Sequence, residues 1–139
     1  MVNPNVIVKN IVTNPTLYAL INVIARACLI YIFLVSGIGK LNGYQITAEH
    51  MEQLGIPSLL LPPTILLEVG GGLAVLLGFQ TRILALFLGL FTLASGFLVH
   101  GAPGQEIQLM KNFGITGGFL AIMLLGGGAW SIDRFLERK

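Results

Sequence analysis

Five ionisable side chains lie inside or at the ends of long apolar stretches of this sequence: Arg26, Lys40, Glu68, His100 and Lys111. A charge at the middle of a bilayer costs roughly 2.5–3.5 kcal/mol on insertion scales, so such residues usually pair with one another or face a cavity. Lysine and histidine donate hydrogen bonds, and a carboxyl group can take up or release a proton. This set of side chains suits the recognition and protonation of a polar group inside a membrane.

The composition places these side chains in a membrane protein. Of the 139 residues, 55% are hydrophobic and only 10% are charged, whereas a typical soluble domain has roughly 25% charged residues. The net charge is +2, and the basic residues lie singly, which does not fit a nucleic-acid-binding surface. We therefore predict one membrane domain over residues 1–139, in contact with the lipid bilayer.

Four stretches are apolar and long enough to span a bilayer, which takes roughly 20 residues of helix. Asn14 and Pro15 stand before the first stretch, and both are common residues at a helix start. Between the first and second stretches, residues 47–54 predict a short amphipathic helix at the membrane surface. The fold class predicted is an all-α bundle of four transmembrane helices, at about residues 17–38, 58–79, 83–100 and 109–130.

The basic residues outside the spans predict the orientation of the chain. One side of the four-span arrangement carries Lys9, Arg82, Arg134, Arg138 and Lys139, and the other side carries Lys40 and Lys111. Because cytoplasmic loops are enriched in lysine and arginine, both termini are predicted to be cytoplasmic. The ends of the spans that carry Lys40, His100 and Lys111 then lie towards the outer face.

Each polar residue within the spans shares a helix face with glycine. Small residues mark helix–helix contacts in membranes, because they let two backbones approach closely. The polar faces are therefore predicted to point into the bundle rather than towards lipid. The residues that share a face are Arg26 with Gly37, Glu68 with Gly71, His100 with Gly96, and Lys111 with Gly114.

The depths of Arg26 and Glu68 in their helices predict an ion pair between them. Arg26 precedes Lys40 by fourteen residues, about 21 Å at a rise of 1.5 Å per residue, and Glu68 follows Ser58 by ten residues, about 15 Å. If Lys40 and Ser58 start at one level, a long arginine side chain spans the difference. Such a pair either fixes the packing of two helices or takes part in proton transfer, and the sequence leaves both roles open.

Cysteine and histidine are scarce in the chain, which has Cys28, His50 and His100. A single cysteine excludes an intramolecular disulfide and dithiol redox chemistry. Haem held between two helices would need paired intramembrane histidines, and the spacing of the histidines is unlike that of a zinc site. We predict no metal site, and we expect His50 to be solvated.

Several short segments are similar to those of a known family. They are Arg26 with residues 32–41 (IFLVSGIGKL), residues 68–72 (EVGGG), residues 77–82 (LGFQTR), His100, and Lys111 with Asn112. In this order and spacing, over about residues 20–130, the chain resembles the DoxX family of small bacterial membrane proteins. The resemblance implies a four-helix inner-membrane protein. Some relatives are subunits of a thiosulfate:quinone oxidoreductase, and others accompany quinone or redox-stress enzymes.

Three functions stay open on this basis, and the sequence does not decide whether the chain is an enzyme. The first is a quinone-interacting oxidoreductase component or accessory subunit that works with a redox partner subunit. In that function Lys40, His100, Lys111 and Asn112 would bind the quinone, and Glu68 and His100 would be candidate catalytic residues. The second is a small proton-coupled transporter or channel that uses Glu68. The third is a non-catalytic membrane scaffold for a partner enzyme, and a homo-oligomer is compatible with each.

Overall fold

The computed structural model describes residues 3–138. Four helices are long and apolar enough to cross a membrane, namely α2 (Pro15–Asn42), α4 (Ser58–Leu77), α5 (Thr81–His100) and α6 (Glu106–Leu125). Three shorter helices are α1 (Pro4–Val12), α3 (Tyr44–Gln53) and α7 (Ile132–Glu137). Residues 3–138 contain no strand. The predicted all-α fold with four membrane helices, and a short helix between the first two, is therefore confirmed.

Local sequence signals explain where the first and second membrane helices begin and end. The side chain of Asn14 accepts hydrogen bonds from the backbone N–H groups of Thr16 and Leu17 at the start of α2, as an N-cap residue does. The second membrane helix, α4, is followed by Gly78, whose φ is 75°. Glycine adopts this left-handed conformation without steric cost, so the chain can turn sharply into α5.

The fourth membrane helix is shorter at its C-terminal end than the sequence predicts. It ends at Leu125, whereas the apolar pattern continues to about residue 130. Gly126 and Gly128 have φ values of 75° and 71°, which are incompatible with an α-helix and break it. Ser131 then starts α7 by accepting the backbone N–H of Arg134. The sequence pattern predicts neither α7 nor α1, since both lie outside the long apolar stretches.

Glycines set the spacing of the membrane helices, which form two packed pairs. In the first pair, α2 and α4, a Cβ added at Gly72 would lie 3.3 Å from Ile30 Cγ2. In the second pair, α5 and α6, a Cβ added at Gly89 would lie 3.3 Å from Phe119 Cβ. Phe33 and Phe119 join the two pairs through an edge-to-face contact, with ring centroids 5.3 Å apart. Small residues thus bring the backbones together, as is usual in membrane bundles.

The bundle has apolar side chains both inside and outside. Its buried apolar layer consists of Ile30, Phe33, Val75, Ala85, Leu88, Phe119 and Ile122. On the outer surface of the same helices Tyr31, Leu66 and Leu124 are 71%, 72% and 73% exposed. Large apolar side chains exposed all around a bundle are unfavourable in water and favourable in hydrocarbon. The distribution is that of a protein surrounded by lipid.

Arg26 closes one end of the bundle, which we term the Arg26 end. Its guanidinium donates hydrogen bonds to the carbonyl oxygens of Val75 (3.1 Å), Leu76 (2.6 Å) and Trp130 (2.8 Å), and to Asn22 Oδ1 (3.0 Å). The last carbonyls of a helix have no partner within the helix, and a cation there also interacts favourably with the helix dipole. Arg26 on α2 therefore caps α4 and holds the segment that follows α6.

Asp133 fixes α7 against the turn between α4 and α5. Its carboxylate accepts the backbone N–H groups of Gln80 (2.7 Å) and Thr81 (2.8 Å), and its own N–H donates to the carbonyl of Gly78 at 2.9 Å. Burial raises the pKa of Asp133, but the hydrogen bonds from Thr81 and Gln80 and the charge of Arg26 outweigh it, so the pKa lies below its ordinary value. One ionised carboxylate thus attaches α7 to the bundle.

Replacing Arg26 by glutamine is expected to lower the free energy of unfolding by at least about 3 kcal/mol. The substitution leaves carbonyl oxygens in the buried end of the bundle without their charged donor. Unfolding in mixed detergent micelles measures the change. Arg134→Gln is the control, because Arg134 is exposed and its 3.8 Å contact with Glu137 is a surface pair, worth less than about 1 kcal/mol. Equal stability of the two variants would contradict the capping role of Arg26.

Acidification is expected to detach α7 from the bundle. Because folding lowers the pKa of Asp133, its contribution to stability is present above its unfolded pKa, about 3.9, and is lost as the pH falls through the folded pKa. Trp130 is the only tryptophan of the chain and lies close to Asp133 in sequence, so its fluorescence reports on this segment. The acid-induced change in emission should vanish in Asp133→Asn. A change of the same size and midpoint in that variant would assign the effect to another group.

Candidate functional site

Lys40 and Glu68 form an ion pair at the opposite end of the bundle, which we term the Lys40 end. Lys40 Nζ lies 2.9 Å and 2.8 Å from the two carboxylate oxygens of Glu68. Lys40 also donates a hydrogen bond to the hydroxyl of Ser36, which lies 3.4 Å from Glu68 Oε1. The side chain of Glu68 is 5% exposed and that of Lys40 is 24% exposed. A charged pair is therefore largely enclosed between α2 and α4.

The predicted Arg26–Glu68 ion pair is wrong. Arg26 donates to the carbonyls of Val75 and Leu76 at the C-terminal end of α4, whereas Glu68 pairs with Lys40. Val75 follows Glu68 by seven residues, about 10 Å along a helix. Residue spacing predicts the depth of a side chain but not the direction in which it extends. Arg26 extends towards the terminal carbonyls of α4, and Lys40 extends into the bundle towards Glu68.

The backbone of α4 is irregular at Glu68. Residues Leu66–Gly71 form a π-helical turn, a wide turn that is found inside α-helices mostly as a single turn and frequently at functional sites. Gly37 of α2 lies against this turn, where an added Cβ would be 2.6 Å from Val69 Cγ2 and 3.1 Å from Glu68 Cβ. Any larger residue would push the helices apart. Gly37 thus lets α2 approach closely enough for Lys40 to reach the carboxylate.

The ion pair lies in the wall of a cavity of about 550 Å³. All four membrane helices and α3 contribute to it, and more than half of its lining residues are apolar. Cavities of this size, with a few polar groups in an apolar lining, are typical of small-molecule sites. The polar lining residues are Ser36, Lys40, Thr47, His50, Thr64, Glu68, Thr92, Ser95, His100 and Asn112.

His100 and Asn112, two of the residues selected from the sequence, line this cavity. The Nδ1 atom of His100 is hydrogen bonded to Oε1 of Gln105 in the loop after α5. Asn112 donates through Nδ2 to the carbonyl of Thr92 at 3.0 Å, and the absence of a side chain at Gly96 gives it room. Asn112 therefore links α5 to α6 in addition to facing the cavity.

Lys111 was also selected from the sequence, but it is exposed and does not line the cavity. Adjacent residues of an α-helix point about 100° apart, so Lys111 points away when Asn112 faces inwards. His50, expected from the sequence to be solvated, is exposed, and it also lines the cavity from α3. Ser36 was missed, although it precedes Lys40 by four residues and therefore shares its helix face. The four-residue spacing from Lys40 could have identified Ser36 from the sequence.

The cavity contains two histidines, His50 and His100, and one carboxylate, Glu68. Within residues 3–138, no three side chains of His, Cys, Asp or Glu lie close enough together to hold a metal ion. The polar atoms of the lining are hydrogen-bond donors and acceptors, which suit the recognition of an organic polar group.

A larger and broader groove, of about 830 Å³, lies at the Arg26 end between the α4–α5 turn, residues 126–129 and α7. Two of its charged side chains, Arg82 and Asp133, hold the ends of helices. Arg82 donates to the carbonyls of Met123 and Leu124 at the end of α6, and Asp133 accepts N–H groups from the turn. We therefore assign a structural role to the Arg26 end and take the Lys40 end as the candidate site.

Known proteins similar to this chain include two curated relatives, both of Escherichia coli (strain K12). The chain is 48% identical to Inner membrane protein YqjF over 119 residues, which is 84% of this chain and 92% of that protein. It is 35% identical to Inner membrane protein YphA over 121 residues, which is 80% of this chain and 86% of that protein. No solved structure matches it significantly. The DoxX family model matches residues 21–101, and the chain is therefore an integral membrane protein that belongs to the DoxX family.

Proposed function

We propose that this protein binds a quinone head group in the cavity at the Lys40 end and acts as the membrane component or accessory subunit of an oxidoreductase. The observation that carries the proposal is the Lys40–Glu68 ion pair, which stands in the wall of a largely apolar cavity. A quinone needs donors for its carbonyl oxygens, apolar contacts for its ring and a source of protons on reduction. The donors can come from Lys40 and His100, and protons can pass through Glu68. Membership of the DoxX family, which includes relatives that act with quinone-linked enzymes, supports the same function.

The hydrogen bonds of Lys40 determine how a quinone oxygen would bind. An ammonium group has three N–H donors, and its contacts here are the two carboxylate oxygens of Glu68 and the hydroxyl of Ser36. Hydrogen bonds between charged groups are stronger than those to a neutral hydroxyl. A quinone carbonyl would therefore replace the Ser36 hydroxyl and leave the ion pair intact. The released hydroxyl of Ser36 can then donate to the same ligand.

Reduction of a quinone to a quinol takes up two electrons and two protons. In this proposal a partner redox protein supplies the two electrons. Glu68 takes up one proton and passes it to the quinone oxygen held by Lys40, and the second proton reaches the other quinone oxygen from water at the outer face. His100, at the end of α5, is the candidate for returning protons from water to Glu68, because an imidazole can both accept and donate a proton near neutral pH. A separate redox partner agrees with the single cysteine of the sequence, which excludes dithiol chemistry.

The same proposal places the protein in a bacterial inner membrane with both termini in the cytoplasm. Lys9, Arg82, Arg134 and Arg138 all belong to the Arg26 end or its flanking helices, and basic residues are enriched on the cytoplasmic side. The relatives named above as inner membrane proteins support the location. The cavity would then lie in the outer half of the bundle.

A small proton-coupled transporter or channel is the second candidate, because Glu68 is a buried carboxylate in a membrane helix. Transport would require a passage to the Arg26 end. The apolar layer that includes Phe33, Leu88 and Phe119 lies between the two ends, which favours a site that is closed on one side. Proton uptake into vesicles that is abolished by Glu68→Gln would support transport. A co-purifying enzyme without quinone binding would support the scaffold function.

Replacing Lys40 by methionine is expected to weaken quinone binding at least about tenfold. The reason is the loss of a charge-assisted hydrogen bond, worth about 1.5–3 kcal/mol. The affinity for decylubiquinone, titrated against the purified protein in mild detergent, measures it. Lys111→Met is the matched control, since Lys111 is exposed and outside the cavity. Undiminished binding in Lys40→Met, or an equal loss in the two variants, would contradict the proposed site.

A double variant separates a structural role of the ion pair from a role in binding. Lys40→Met alone leaves Glu68 buried without its cation, which is expected to cost about 3 kcal/mol of unfolding free energy. Adding Glu68→Gln removes the charge and should recover most of that loss. We expect the double variant to be stable in mixed detergent micelles but unable to bind decylubiquinone. Full binding by the double variant would mean that the pair serves packing alone.

A further inference from the structure

We infer that the ligand enters the cavity sideways from the bilayer, between α4 and α5, and that its hydrocarbon chain stays in this gap. The inference rests on the proposed function and adds the class of ligand to it: a quinone with a long apolar chain, dissolved in lipid, rather than a water-soluble quinone.

The helices α4 and α5 diverge from the Arg26 end towards the Lys40 end. Between Glu68 and their connecting turn they are in contact, since a Cβ added at Gly71 would lie 3.9 Å from Leu84 Cδ2. Further from the turn the cavity separates them. We term this gap the α4–α5 fissure, and its residues are Leu60, Pro63 and Leu67 on α4 and Phe91, Ala94 and Leu98 on α5.

The fissure is exposed on the outside of the bundle at the depth of the membrane helices. Leu60 is 50% exposed and Leu98 is 63% exposed, and Pro63 and Ala94 are also exposed. All four residues belong to helices long and apolar enough to span a membrane, so the medium outside them is hydrocarbon rather than water. All four are apolar. The mouth of the fissure therefore suits an apolar chain.

Each of the other interfaces between membrane helices has a close side-chain contact. Between α2 and α4, Gly37 lies tightly against Val69. Between α5 and α6, the rings of Phe97 and Phe113 are in edge-to-face contact, with centroids 5.8 Å apart. Between α2 and α6, the rings of Phe33 and Phe119 are in edge-to-face contact, with centroids 5.3 Å apart. On the remaining side, α3 lines the cavity with Met51 and other residues. The exposed apolar residues at its mouth make the α4–α5 fissure the lateral route that we infer.

The ion pair lies close enough to the fissure for one ligand to place its ring at the pair and its chain in the fissure. Leu67, which lines the fissure, is adjacent in sequence to Glu68. Pro63, at the exposed edge, precedes Glu68 by five residues, about 7.5 Å along a helix. A ring held at the Lys40–Glu68 pair would therefore direct a substituent into the fissure, and a chain of several carbons would reach the bilayer.

The test compares decylubiquinone with the same quinone head lacking the decyl chain, using the protein in lipid nanodiscs. Ala94→Trp fills the fissure with a large side chain. Ala121→Trp is the matched control, because Ala121 is exposed on α6 and does not line the cavity. We expect Ala94→Trp to weaken decylubiquinone binding about tenfold, since the lost burial of about two methylene groups suffices. The affinity for the chainless head should not change, and Ala121→Trp should affect neither ligand.

Undiminished binding of decylubiquinone by Ala94→Trp would overturn the lateral route, and so would an equal loss of both ligands. If the unsubstituted protein binds neither quinone, the proposed function fails, and a measurement without quinone decides the route. Ser36→Cys in a Cys28→Ser background is treated with an uncharged, lipid-soluble maleimide or with a charged, water-soluble methanethiosulfonate. Faster reaction with the lipid-soluble reagent, slowed by Ala94→Trp but not by Ala121→Trp, supports the route. Faster reaction with the charged reagent, or reaction with neither, overturns it.

Discussion

Hydrocarbon offers no hydrogen bonds, so every polar group inside this bundle must find its partner in the chain itself. At one end the guanidinium of Arg26 meets this requirement by joining α2, the end of α4 and the segment after α6. At the other end the ammonium of Lys40 meets it by binding Glu68 and Ser36. The hydrogen-bond partners of these two cations differ, and this difference distinguishes the structural end of the bundle from the end with the candidate site.

The two ends differ in the kind of partner that each charge has. The donors of Arg26 and the carboxylate of Asp133 bind mainly backbone groups at the ends of helices, and these bonds cannot be exchanged without disturbing a helix. The partners of Lys40 are side chains, which can rotate. A ligand atom can replace a side-chain hydroxyl and leave the backbone unchanged. This difference is the physical reason for placing ligand binding at the Lys40 end, although the groove at the Arg26 end is larger.

Glycine contacts explain where the cavity can form. Gly37 holds α2 against α4 beside the ion pair, and Gly96 holds α5 against α6 at Asn112. Because each pair of helices stays closely packed at the Lys40 end, the divergence of α4 from α5 leaves space between the pairs rather than within them. The π-helical turn Leu66–Gly71 then presents Glu68 to that space. The carboxylate of Glu68 is thus enclosed, whereas the outer surface of the bundle is apolar and suited to lipid.

Residue type and helical periodicity are local properties, and from them the sequence by itself determined four membrane helices, the Asn14 cap, the short helix between the first two spans and the DoxX family. It also indicated that ionisable side chains share an interior. Only the tertiary structure decided their partners. Arg26 and Lys40 lie on one face of α2, and spacing along the chain cannot tell which of them meets Glu68. That choice depends on distances between helices, on the position of the terminal carbonyls of α4 and on the break at Gly126, none of which is a property of a single segment.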